Sequence, residues 1–312
     1  MNKKWISTLG LLLVMGLILA ACGAGPSAEL PVQTQPGLRV LAVESFIADM
    51  AQNVSDDRLK IETLLPLGTD PHEYELTPQD VAKVSASQVL IVNGGGFEEW
   101  LQKALDNAGG QRILIEASAG LEMRKTQVGE VLEPEHEGDP HFWLDPVNAI
   151  QYVENIRRGL AEADPGGAEI YANNAAAYST QLEELDAWIE SQVAQIPAER
   201  RLLVTNHESF GYFADRYGFT IIGTVIPSAS TGAAPSAQQL AQLVDKIKAS
   251  GARAIFLETG SNPQLANQVA AETGVKVVTG LYTHSITAPD GEAPTYIEMM
   301  KYNVNAIVEA LR

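Results

Sequence analysis

The sequence predicts an α/β protein of two lobes, each a parallel sheet flanked by helices, joined by one long rigid helix. Three observations lead there: short β-branched and leucine-rich runs alternate with helical stretches, the runs fall into two groups of four, and an unbroken amphipathic segment separates the groups. Strands spaced by helices imply β-α-β units and hence parallel pairing.

In chain order, residues 1–21 come first. Lys3 and Lys4 precede an apolar run from Trp5 to Ala21 that ends in small residues, the layout of a secretory signal. The run approaches the roughly 17–25 residues that span a bilayer, so a transmembrane anchor is the competing reading. Cys22, the sole cysteine, decides between them, because it sits where a lipoprotein signal places the residue to be acylated. Residues 22–36, rich in Gly, Ala, Pro and Ser, then read as a lipid-anchored flexible tether. A chain with one cysteine has no internal disulfide and must rely on its core.

Residues 37–165 form the expected N-terminal α/β lobe, with strand runs at 38–43, 60–65, 89–92 and 112–115. Asn93-Gly94-Gly95-Gly96 superficially resembles a phosphate loop but lacks the dinucleotide spacing and the Lys-Ser/Thr ending, so it reads as a turn capping a helix over 97–105. Residues 166–197 form the connecting helix. Tyr171, Ala175, Tyr178, Leu182, Leu185, Ile189, Val193 and Ile196 recur at steps of three and four, with Pro165 and Gly166-Gly167 before and Pro197 after. Such a helix spans roughly 40 Å, and a stiff connector argues against wide hinge closure. Residues 198–312 form the C-terminal lobe, with runs at 202–205, 220–223, 254–258 and 275–278.

The formal charge is −18, and removing residues 1–21 deepens it by two lysines. Nucleic acid and anionic membrane surfaces are therefore poor partners. There are five histidines. Any one alone reads as a surface or satisfied core residue, but their placement changes that. His72, His207 and His284 follow strands, and parallel sheets bind ligands beyond the carboxyl ends of their strands. His141 precedes the helix expected at Pro146. Two come from each lobe, enough to fill the coordination shell of zinc in the cleft between. His136, among Glu133, Glu135 and Glu137, reads as part of a solvated acidic loop, with a weak cation-collecting loop as its alternative. No His-Glu pair has the second histidine of a zinc protease, and no Gly-x-Ser-x-Gly elbow occurs. Four protein ligands close a shell that catalysis needs open.

At these residues the chain resembles the zinc- and manganese-specific solute-binding lipoproteins of ABC importers, the cluster A-I family. Gly68-Thr69-Asp70-Pro71-His72-Glu73-Tyr74-Glu75, Asp139-Pro140-His141-Phe142-Trp143-Leu144-Asp145-Pro146 and Thr205-Asn206-His207-Glu208-Ser209-Phe210-Gly211-Tyr212-Phe213 are similar to its three ligand motifs. Ala234-Pro235-Ser236 and the segment from Thr295 to Asn303 resemble family segments of the C-terminal lobe.

The resemblance implies that His72, His141 and His207 are metal ligands. Histidine at 207, where manganese carriers often have glutamate, favours zinc. The departure is His284, where the family usually has aspartate. With His284 as fourth ligand the site is all imidazole, which suits zinc, copper or nickel better than manganese. Glu73, Asp139, Glu208 or Glu258 would then orient the rings and offset the charge, and Glu258 or a water is the alternative ligand if His284 turns away.

The expected function is a binding protein, not an enzyme, that captures Zn2+, with Mn2+ as the alternative. It would deliver the ion to an ABC permease and its ATPase as an extracytoplasmic, lipid-anchored monomer. The competing readings are a secreted zinc hydrolase with Glu208 as base, a surface adhesin with a structural metal, and a carrier of chelated metal such as a siderophore or corrinoid.

Overall fold

The computed structural model describes residues 37–109, 111–125 and 138–312. The expected signal segment, Cys22, the tether and the acidic loop around His136 lie outside the described residues. No described helix is long and apolar enough to cross a membrane.

The first half runs β1 (Val40–Ala42), α1 (Ser45–Ser55), β2 (Ile61–Thr63), α2 (Pro78–Ala86), β3 (Val89–Val92), α3 (Glu99–Ala108), β4 (Ile113–Glu116) and α4 (Pro146–Ala163). The long helix α5 (Ala168–Val193) follows. The second half runs β5 (Leu202–Thr205), α6 (Gly211–Tyr217), β6 (Thr220–Thr224), α7 (Ala237–Ser250), β7 (Ala254–Glu258), α8 (Gln264–Thr273), β8 (Lys276–Leu281) and α9 (Tyr296–Leu311). Two four-stranded sheets result, ordered β2-β1-β3-β4 and β6-β5-β7-β8. Every strand pair is parallel.

The two sheets share one strand order, a repeat that residue identities do not reveal. In each, the chain leaves the first strand for one edge and crosses back to the other side. This leaves a crevice beyond the carboxyl ends of β1 and β3, and of β5 and β7, where α/β sheets bind ligands. Central strands such as β3, with sequence Val-Leu-Ile-Val, are buried at every position because helices cover both faces.

Local signals fix the helix starts. Thr77 and Asp80 close a reciprocal capping box on α2, and Ser236 and Gln239 do so on α7. The Asp145 side chain caps α4, with Pro146 in its first turn.

Helix α5 buries the expected stripe, Tyr171, Ala175, Tyr178, Leu182, Leu185, Ile189 and Val193. It packs against α1 and α4 of the first half and α9 of the second, so one hydrophobic core runs through both. The helix ends three residues before Ile196, although Ile196 is itself buried. Pro197 disfavours helical geometry at the residue before it, and the chain tightens into a turn in which Ile196 N–H bonds the Val193 carbonyl. At the N-terminal end of α5, Arg58 and Asp164 form a buried two-pronged ion pair that Tyr171 joins through its hydroxyl.

The helix expected over 97–105 starts later, at Glu99. Gly94, Gly95 and Gly96 all have positive φ, which glycine alone adopts freely, and hold the chain in a turn. The N–H groups of Asn93 and Gly94 bond the Glu98 carboxylate, and that of Gly95 bonds Glu116. These amides are committed to the protein's own acids, which fits a turn and not a phosphate loop.

Candidate metal centre

The four histidines expected in the cleft come together. His72 lies on the loop between β2 and α2, and His141 lies immediately before the short turn Phe142–Leu144 that leads to α4. His207 lies two residues past β5 and His284 three past β8. Nε2 of His141 stands 3.3 Å from Nε2 of His72, 3.2 Å from that of His207 and 3.3 Å from that of His284. One nitrogen from each ring lies within 4.8 Å of all the others.

Nitrogens about 2.0–2.1 Å from a tetrahedral ion stand about 3.3–3.4 Å apart, which is the spacing of these edges. His141 and His207 are enclosed, the His284 side chain is 8% exposed, and His72 is half-buried. A cavity of about 460 Å³, lined in part by His72, Tyr74, Phe97, Trp100 and Pro140, reaches the cluster from the His72 side.

Carboxylates stand behind three of the rings. Asp139 Oδ1 accepts from both the backbone N–H and the ring Nδ1 of His141, at 3.0 and 2.9 Å. Glu258, the last residue of β7, sits across the crevice from His207. Its Oε1 lies 2.7 Å from His207 Nδ1, and its Oε2 lies 3.3 Å from His284 Nδ1. Ser209 donates to Oε1 of the same carboxylate. Asp139 holds the imidazole proton of His141 on Nδ1, and the Glu258 charge lies against Nδ1 of His207 and of His284, so that the Nε2 atoms face one another and can hold a cation.

Protonation follows from this packing. Burial and the neighbouring rings of His207, His72 and His284 hold His141 well below the usual imidazole value. Burial, then His72 and His207, hold His284 well below it too, against the pull of Glu258. Burial also opposes charge on His207, but contact with Glu258 outweighs it and leaves His207 raised. Glu258 is buried as well, yet His207 and His284 pull its carboxyl down to about 2. Asp139 is pushed up to about 7 by burial, against the N–H of His141 and the guanidinium of Arg124. Without a cation the Asp139–His141 pair thus favours its uncharged form.

Of the four acids expected near the rings, Asp139 and Glu258 touch them. Glu258 contacts the Nδ1 side of two rings, the far side from the converging nitrogens. Glu73 is exposed. Glu208 is buried, its N–H bonding the Ser228 carbonyl, and its charge bears on Asp139 and Arg124.

The sequence reading missed Arg124. Its backbone N–H bonds the Tyr212 hydroxyl, which in turn donates to the Asp139 carbonyl, while its guanidinium pairs with Asp215 of α6 at 2.6 Å. Gly211 makes room for this network, since a Cβ there would stand 2.4 Å from Asp139 Oδ2 and 2.6 Å from Arg124 Nη1. Nothing in the irregular stretch around Arg124 signals the role, because its partners come from distant elements.

Two helix-joined parallel sheets with a convergent imidazole cluster at their strand ends define the class: extracytoplasmic solute-binding proteins for metal ions. The chain belongs to the family described as zinc-uptake complex component A, periplasmic, whose model matches residues 40–310.

The manganese-binding lipoprotein MntA of Halalkalibacterium halodurans is 36% identical over 300 residues, covering 96% of each chain. The periplasmic zinc-binding protein TroA of Treponema pallidum superposes with a TM-score of 0.80 at 28% identity, over 88% of this chain and 99% of TroA. A manganese-bound periplasmic metal-binding protein from Candidatus Liberibacter asiaticus gives 0.78 at 29% identity, over 88% of this chain and all of the other. The protein is accordingly the extracytoplasmic substrate-binding component of a metal ABC importer.

Proposed function

We propose that this chain captures zinc with His72, His141, His207 and His284 and hands it to the permease of an ABC importer powered by its ATPase, acting as a monomer held to the membrane by lipid on Cys22. The observation that supports zinc is the spacing of the four Nε2 atoms, three of them 3.2–3.3 Å from that of His141, with no oxygen among the converging donors. Imidazole nitrogen suits zinc, whereas manganese favours carboxylate and water oxygens. Asp139 and Glu258 behind the rings provide two carboxylates to balance a divalent ion. A hydrolytic zinc site keeps a position open for water, and four imidazoles leave none.

Manganese is the second reading, favoured by what MntA is named for and by the manganese-bound neighbour. Metal analysis of protein purified without added metal, with competitive zinc and manganese titration of the wild type and of His284→Asp, separates the two. Zinc as the co-purifying and tighter-bound ion, with a shift toward manganese in His284→Asp, supports the proposal. A wild type that strongly prefers manganese overturns it.

A further inference from the structure

His72 differs from the other three imidazoles in what holds it. Its loop runs from the end of β2 to Thr77, and its own backbone contributes a single turn bond, Thr69 N–H to the Pro66 carbonyl. Leu64 and Leu65 N–H continue the pairing with β1 through the Ala42 and Val43 carbonyls, Tyr74 donates to Asp80 at the other end, and side chains fasten the stretch between. Trp100 Nε1 donates to the Pro71 carbonyl at 2.8 Å from within the first half of the chain. The other two fastenings come from the second half. Gly68 N–H donates to Ser285 Oγ at 2.9 Å, and Thr231 Oγ1 donates to Asp70 Oδ2 at 2.7 Å. The remaining oxygen of Asp70 accepts the backbone N–H of His72 itself at 2.9 Å, so the Thr231 bond reaches His72 through one carboxylate.

Both outside fastenings are built on the segments that carry the opposing rings. Ser285 follows His284 directly. It is buried, donates to the Ile286 carbonyl, and stands 3.2 Å from Ser45 Oγ, which accepts the Ile286 N–H. With Gly68 N–H as a further donor, the hydrogen-bonding capacity of the Ser285 hydroxyl is filled. Thr231 lies on the loop whose Ser228 carbonyl accepts the N–H of Glu208, the residue after His207. The cavity beside the cluster is lined by His72 and, from the Thr231 loop, by Ala229 and Ser230.

We propose that Thr231 and Ser285 are positioning residues that hold His72 in the cluster across the cleft, so that the cation leaves on the His72 side and the two hydrogen bonds set how long it stays. The proposal rests on the reading of His72 as a ligand. When both bonds break, the loop that carries His72 can lift away from His141, His207 and His284, which keep their contacts with Asp139 and Glu258. Entry is little affected, because an ion meets the three anchored rings whether or not the fastenings are made.

Stopped-flow chelator competition on the full soluble chain, loaded with zinc and separately with manganese, tests it. Thr231→Val removes the hydroxyl at constant shape, Ser285→Ala removes the other fastening, and Thr231→Ser restores the donor. The expected result is dissociation accelerated roughly 10-fold in Thr231→Val, as expected for a lost hydrogen bond to a carboxylate. Ser285→Ala should move dissociation the same way, association should stay within about twofold, and Thr231→Ser should return to the wild-type rate. Trp100 emission, which reports on the loop through Pro71, should change in step. Wild-type dissociation rates in both Thr231→Val and Ser285→Ala overturn the proposal, as does a loss that appears only in association. Equal metal release by a His72→Ala chain and the wild type would instead sink the ligand reading beneath it, which keeps the two failures distinct.

Discussion

Nδ1 of His207 lies 2.7 Å from Oε1 of Glu258, and both side chains are enclosed. The contact spans the crevice between β5 and β7, and the other oxygen of the same carboxylate reaches Nδ1 of His284. One acid thus orients two of the four rings. Glu258→Gln keeps the shape but removes the charge that faces both rings. Metal affinity should fall about 10–100-fold, the usual cost of losing a partner behind a metal-binding histidine. Competition against a chelating dye measures it, and an unchanged dissociation constant would show that Glu258 does not support the site.

Affinity should also depend on pH with a definite sign. His141 and His284 are held neutral by burial, so an incoming ion displaces no proton from them. His207 is raised, with Glu258 outweighing burial, and carries a proton below its raised value. The ion must displace that proton. Asp139, pushed up to about 7 by burial, also charges on binding, so apparent affinity should level off above both values and fall by at least about tenfold per pH unit below them. Zinc titrations between mildly acidic and mildly alkaline pH check this, and a flat profile contradicts it.

Binding should register as stability. An ion at a hundredfold excess over its dissociation constant adds about 2.7 kcal/mol. In a chain of this size that corresponds to roughly 4–5 °C in Tm. Chelation should lower the melting temperature by that amount and zinc should restore it. A melting curve indifferent to both would mean that the cluster does not bind the ion in the folded state.

Far from the cluster, Arg58 Nε and Nη2 meet the Asp164 carboxylate at 2.5 and 2.9 Å, and Tyr171 donates to it at 2.6 Å. Asp164→Asn leaves a buried guanidinium without its counter-charge and should cost about 3–5 kcal/mol in urea unfolding. The Arg58 hydrogen bonds hold the Asp164 carboxyl below its ordinary value, despite burial. Its contribution is therefore present above the unfolded value of about 3.9 and lost as pH falls through the lowered one. The acid limb of the stability curve should flatten in the variant, and an equally steep limb would assign that slope to other groups.

Much of this was legible in one dimension because it depends on local periodicity. The apolar-rich runs at 89–92, 202–205 and 254–258 are strands with those same limits, and the stripe from Tyr171 to Val193 is the buried face of α5. The ends of elements were less legible where a local competitor intervened, as Pro197 does at the end of α5 and the three left-handed glycines do before α3. His72, His141, His207 and His284 could be singled out because strand ends and motifs mark them.

What the sequence by itself determined is therefore the α/β class, the two groups of strands, the long helix and the four residues worth watching. Only the tertiary structure decided that both sheets share one strand order, that four Nε2 atoms meet, and that Glu258 serves two rings from behind. It also supplied Arg124, Ser285 and Thr231, whose partners lie 88, 217 and 161 residues away along the chain. The reason is physical: periodicity and capping act over a few residues, whereas the direction of a side chain in a cleft is set by whichever distant elements the shared core brings to face it.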